Sequence, residues 1–218
     1  MNRLIWVIDS PYSRATKWLL LKLHVSHADH LLGWQNLAHD PLLLAHNPKQ
    51  QVPTLLLEDR TISDSLLIAL QFLPDEWHQT VDAQLFRLAD GDFEAAIIFF
   101  FRANLLEKNF SKNDSSEFMR QAGETTYRKS LDVLFDTIQV SDIEQPINFG
   151  LVLVFSTILA CRHLANSLEV NTHRLNELQA LSRLIETDKE YQHLVQHYFA
   201  DSENALPFYI GSEIIPDC

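Results

Sequence analysis

Residues 47–73 read NPKQQVPTLLLEDRTISDSLLIALQFL. Asn47-Pro48 closes whatever comes before it, since an Asx-Pro pair favours a turn. After it, "PTLLLED" reads as a short apolar strand and "RTIS" as a second. The turn Glu58-Asp59-Arg60 joins them as a hairpin. Asp64 or Ser65 then stands at the start of an apolar helix, "DSLLIALQFL". Two strands and a helix follow one another within 27 residues, with an X-Pro bond at their head.

Upstream, "LIWVI" leads a strand over residues 4–9, and "SRATKWLLLKLH" (13–24) has the wide apolar face of a helix at Trp18, Leu19, Leu21 and Leu23. A weak strand near "DHLLGW" and a short helix or turn in "HDPLLLAHNPKQ" complete the interval. The first 73 residues therefore read β-α-β-α-β-β-α. Downstream, "PDEWHQT" (74–80) starts with proline and has no apolar period, so it reads as a linker. Residues 81–218 read as all-helical, with candidate helices at 81–109, 115–139, 147–166, 171–187 and 189–199. "GLVLVFSTILAC" (150–161) is too short to span a bilayer and reads as a buried central helix. The fold class expected is α/β plus all-α.

Composition limits the functions. The formal net charge of −12, from 17 basic and 29 acidic residues, argues against a nucleic-acid surface, which needs basic clusters. No HExxH or comparable ligand pair occurs among the ten histidines, so no metal is expected. Cys161 and Cys218 make neither a disulfide framework nor a metal set, which suits a reducing cytoplasm. "MNRLIWVIDSP" has too short an apolar run for a signal peptide, and no membrane association is expected.

An α/β half of this order, a short linker and a helical half together resemble the glutathione transferase family. The run 47–73 carries most of the likeness: Asn-Pro, a few polar residues, Val-Pro, an apolar strand, a turn, an acidic residue with serine, and an apolar helix. "RLADGDFEAAI", "YRKSLDVLFDTI" and "INFGLVLVFSTILACRHL" look like further family segments, from a bacterial subgroup beginning Ser-Pro-Phe or Ser-Pro-Tyr. The resemblance implies a thioredoxin-like domain (1–73) that binds glutathione, a linker (74–80) and a helical domain (81–218) that supplies the electrophile pocket. It also implies a homodimer docked across a two-fold axis.

The resemblance assigns residues. Val52-Pro53 would be a cis bond that turns the Val52 N–H and C=O toward a peptide-like ligand; alternatively Pro53 only opens a strand. Asp64 would face the ammonium of the γ-glutamyl end and Ser65 would take its α-carboxylate; both residues also suit simple capping. Gln51 stands where many members carry a basic residue, and it can donate a hydrogen bond without charge. Many members cap their sixth helix with an internal Asp; "INFGLVLVF" has none, and Asn148 stands where it can cap.

"SPYS" (10–13) looks like the Cys-Pro-Tyr-Cys redox motif of glutaredoxins with oxygen in place of both sulfurs. Ser10 cannot form a mixed disulfide, but its hydroxyl can donate to the thiolate of bound glutathione. A hydrogen bond to a charged group contributes about 1.5–3 kcal/mol and a helix end about 0.3–1, enough to lower a thiol pKa by about one to three units. Tyr12 is the second candidate for that role, and Ser10 or Ser13 as an ordinary helix cap is the third possibility. In the helical half, "AIIFFFRANL" (96–105) cannot bury every ring, so Phe99, Phe100 and Arg102 are expected toward the electrophile or a dimer partner. The function implied is conjugation of glutathione thiolate, a co-substrate, to small hydrophobic electrophiles in detoxification. The alternative is a non-catalytic binding or regulatory module like the stringent starvation proteins of bacteria, which bind RNA polymerase and share a similar "NP…VPTL" run.

Overall fold

The computed structural model describes residues 1–137, 148–198 and 206–211. The chain divides into two compact units. One is Met1–Thr80 together with Asp188 and the helix after it; the other is formed around Val81–Thr187.

The first unit is thioredoxin-like. Strand β1 (Arg3–Trp6) leads to helix α1 (Pro11–Lys22), β2 (Ala28–Leu31), α2 (Pro41–His46), β3 (Thr54–Leu56), β4 (Thr61–Ser63) and α3 (Ser65–Ala69). The sheet order is β2-β1-β3-β4, with β1 parallel to β2 and antiparallel to β3, and β3 antiparallel to β4. β1 is buried from Leu4 onward, as a strand covered on both faces must be. Ile5, Val7, Leu32 and Leu43 form a core cluster on one side of it. The β3–β4 turn closes where the sequence places it, with the Leu57 N–H donating to the Arg60 carbonyl (2.8 Å).

Several elements differ from the sequence reading. α3 ends at Ala69 and not at Leu73: the Gln71 and Phe72 N–H groups reach carbonyls three residues back, so the chain tightens into 3₁₀ turns. The stretch 74–80 holds a 3₁₀ turn, Asp75–Gln79, that buries Trp77. The last described helix, α10 (Lys189–Tyr198), belongs with the first unit, where it packs on α1.

The second unit contains α4 (Val81–Leu88), a π-helical turn (Ala89–Phe93), α5 (Glu94–Phe110), α6 (Asp114–Thr137), α7 (Phe149–Ala165), α8 (Leu168–Thr172) and α9 (Leu175–Glu186). The π turn interrupts what the sequence shows as one long helix. The expected 171–187 helix is broken at Arg174, whose φ is +54°. α7 is buried on every side through Arg162, as an all-round apolar helix must be. Its N-terminus corrects an expectation. Asn148 occupies the cap position without a side-chain cap bond. Asp82 of α4 supplies the cap: its Oδ1 accepts from the Gly150 N–H (2.7 Å) and the Leu151 N–H (3.3 Å). A Cβ on Gly150 would stand 2.0 Å from the Asp82 carbonyl oxygen, so only glycine lets the two helices come this close. Cys161 is sealed in this core, where burial pushes its thiol well above the usual range.

Candidate functional site

The sheet register gathers the residues singled out at one end of the sheet of the first unit. Ile5 pairs with Thr54, and Thr54 pairs with Ser63. Because both pairs are antiparallel, the C-terminal ends of β1 and β4 lie beside the N-terminal end of β3. Ser10, Val52-Pro53 and Asp64-Ser65 leave the sheet at that one edge.

The Val52–Pro53 peptide is cis. Neither backbone group of Val52, in the loop that leads into β3, has a hydrogen-bond partner among the described residues. Asn47 holds the loop in shape: it is buried, and its Nδ2 donates to the Gln51 carbonyl and to Thr54 Oγ1, each at 2.9 Å. Thr54 Oγ1 donates in turn to the same Gln51 carbonyl (2.9 Å). Gln51 itself is exposed. The Asn-Pro signal at 47–48 thus does more than end a helix.

Asp64 sits at φ +93° and ψ 133°, a conformation that costs a non-glycine residue about 1–3 kcal/mol. Its N–H donates to the Pro53 carbonyl (3.3 Å), tying the two loops together. Oδ1 accepts from the Leu66 and Leu67 N–H groups (2.8 and 3.2 Å), so the carboxylate caps α3. Oδ2 has no partner among the described residues. Ser65 is buried, and neither its N–H nor its hydroxyl has a protein acceptor among the described residues. Asp64 Oδ2 and the two Ser65 donors are thus left without protein partners among the described residues, at the end of the sheet where Ser10 and Val52-Pro53 also lie.

Ser10 is the N-cap of α1, with Pro11 at the first helical position, an arrangement that suits the missing proline N–H. Its Oγ accepts from the Ser13 N–H at 3.3 Å, its N–H donates to the Val7 carbonyl (3.1 Å), and its carbonyl accepts from the Arg14 N–H (2.9 Å). A hydroxyl that accepts in this way still has its own hydrogen to donate. Tyr12 lies half-buried on the first turn of the same helix.

In the second unit, Phe99 is half-buried and Arg102 is exposed on α5. Phe100 is fully buried, with its nearest ring carbon 2.9 Å from where a Cβ on Gly123 of α6 would stand. The ring is part of the helical core and cannot present itself to a ligand. Consecutive residues step about 100° around a helix, so one of three adjacent phenylalanines must face inward.

Among the described residues, no group of three or more His, Cys, Asp or Glu side chains is placed to hold a metal ion. Nor is any helix there long and apolar enough to cross a membrane.

Residues 9–72 match the family model described as glutathione S-transferase, N-terminal domain. No curated protein matches the chain. Among solved structures, a glutathione S-transferase from Xylella fastidiosa superposes with a TM-score of 0.70 at 15% identity, over 90% of this chain and 98% of that one. A glutathione transferase family member from Pseudomonas fluorescens Pf-5, with bound glutathione, gives 0.67 at 18%, over 87% and 96%. A glutathione S-transferase from Methylobacterium radiotolerans, in complex with glutathione sulfonate, gives 0.61 at 18%, over 100% and 98%. The chain has the glutathione transferase fold.

Proposed function

We propose that the chain is a glutathione transferase that binds glutathione at the end of the first unit's sheet where Ser10, Val52 and Asp64 meet, and transfers the thiolate to small hydrophobic electrophiles. The observation that carries this reading is the convergence of Ser10, the cis Val52–Pro53 peptide and Asp64-Ser65 at one sheet edge, within the segment that matches the family model. In this reading the Val52 N–H and C=O pair with the cysteinyl backbone of the tripeptide. Ser65 donates to the γ-glutamyl carboxylate, and Asp64 Oδ2 accepts from the ammonium. Gln51 adds an uncharged donor at the rim. The Ser10 hydroxyl donates to the sulfur, with Tyr12 as the alternative donor.

The chemistry asked of these groups is modest. The thiol proton leaves to solvent. The thiolate lone pair forms the new S–C bond while the electrophile's leaving group departs with its electron pair. Donors aimed at the sulfur stabilise the thiolate, and binding both reactants removes the entropic cost of their encounter. Phe99 and Arg102 are kept as the residues proposed to touch the electrophile. The working molecule is taken as a dimer of two copies, a reading supported by the exposed stripe Ile98, Phe101 and Leu105 along α5.

Calorimetric titration with glutathione tests the proposal. Binding is expected, and Asp64→Ala should weaken it by about 1.5–3 kcal/mol, the usual worth of a charged hydrogen bond. No heat at millimolar glutathione would reject the transferase and favour a binding module on the same fold.

A further inference from the structure

Arg14 is completely buried one helical turn beyond Ser10. Its Nε donates to the Ile8 carbonyl (3.2 Å), two residues before Ser10. Its own N–H donates to the Ser10 carbonyl (2.9 Å), so side chain and backbone grip both sides of the strand-to-helix junction. Burial works to lower the Arg14 pKa, and Tyr191 of α10, through charge and a side-chain hydrogen bond, and the Asp9 carboxyl oppose it. Asp9 is itself buried and Tyr191 is fully so. α10 in turn is fixed to α1. Asp188 Oδ1 accepts from Trp18 Nε1 (2.7 Å) and from the Tyr191 N–H (2.9 Å), and Lys22 Nζ donates to Asp188 Oδ2 and Glu190 Oε2, each at 3.0 Å.

A buried arginine is expensive unless its donors are matched, and removing one partner leaves a charge unmet. Here the Nε and the backbone N–H of Arg14 both serve one short segment, Ile8–Ser10. That segment sets where the Ser10 hydroxyl and the first N–H groups of α1 point. We propose that Arg14 is the positioning residue of the thiolate site, holding the Ile8–Ser10 turn so that Ser10 meets the sulfur, and that Tyr191 of α10 holds Arg14 in place. This rests on the glutathione reading above. It makes α10 part of the apparatus that sets thiol acidity, without touching the ligand.

The decisive measurement is the pKa of the glutathione thiol in the complex, from the pH dependence of thiolate ultraviolet absorbance, in the intact chain and in Arg14→Met and Tyr191→Phe. Binding of S-methylglutathione, which has no thiol to ionise, is measured alongside. The thiol pKa should rise by about one unit in Arg14→Met and by a smaller, resolvable step in Tyr191→Phe. S-methylglutathione affinity should stay within about threefold, since a tenfold loss needs a whole 1.4 kcal/mol. A purely structural role would lower the melting temperature and leave the thiol pKa of the folded complex unmoved; that result overturns the proposal. Where Arg14→Met fails to fold, Tyr191→Phe, which removes one oxygen, decides alone. If the intact chain binds neither glutathione nor S-methylglutathione, the transferase reading itself falls. If it binds both but the variants keep the parental pKa, only the role of Arg14 falls.

Discussion

Replacing Ser10 separates the helix cap that its hydroxyl makes from the thiolate contact proposed for it. As acceptor, Oγ caps α1 through the Ser13 N–H. As donor, it is proposed to hold the thiolate. Ser10→Ala removes both, and Ser10→Gly removes both side-chain bonds but suits an N-cap far better than alanine does. The backbone there, φ −85° and ψ 120°, is ordinary for either residue, so no strain enters. Loss of a cap costs about 0.5–2 kcal/mol with alanine and only a few tenths with glycine. The 3.3 Å bond is long, which points to the lower half of that range for alanine. The donor role predicts something different: the same rise in bound-thiol pKa, about one unit or more, in both variants. A raised pKa means less thiolate at a given pH. Conjugation should therefore slow about tenfold per unit below the new pKa and recover above it. Urea unfolding and the pH–rate profile with a general electrophile give the two readouts. If both variants keep the parental profile while alanine alone loses stability, Ser10 is a cap and nothing more. If Tyr12→Phe moves the profile instead, the donor is Tyr12.

Asp82→Ala should destabilise the second unit by about 2–4 kcal/mol, since it strips two N–H groups of a buried helix end of a charged acceptor; urea unfolding followed by circular dichroism reads it, and a loss under 0.5 kcal/mol would refute the cap. Burial works to raise the Asp188 carboxyl, but Trp18, the Tyr191 N–H and Lys22 outweigh it and hold the group below the usual range. Its contribution is therefore present above the unfolded pKa, about 3.9, and is lost as pH falls through the lower folded value. Asp188→Asn should lower stability at neutral pH and flatten that acid limb in pH-dependent thermal melts.

The fold was legible because its signals are local. Val-Pro ahead of a short apolar run, the Glu58-Asp59-Arg60 turn and Asp64 before an apolar helix each depend on neighbours a few positions away. The register then brings them to one edge without further information. What stayed hidden joins distant positions. The tie between Trp18 and Asp188 spans 170 residues, and that between Asp82 and Gly150 spans 68. Neither Arg14 inside "SPYSRA" nor Tyr191 inside "KEYQHL" carries any mark of the other. The positive φ of Asp64 was hidden too, because an aspartate before a helix ordinarily caps from extended backbone. Phe99–Phe101 shows the intermediate case: the sequence says one ring must turn inward, and only the position of Gly123 says which.

The return of α10 to α1 has a consequence for synthesis. A ribosome releases β1 through α3 long before Tyr191 and Tyr198 exist. During that interval Arg14 lacks the Tyr191 hydroxyl, and Asp29, which pairs with Lys17, lacks the contact from Tyr198. At about 5–20 residues per second, the gap lasts on the order of ten seconds. The nascent first unit spends that time with the cationic side of its first helix uncovered.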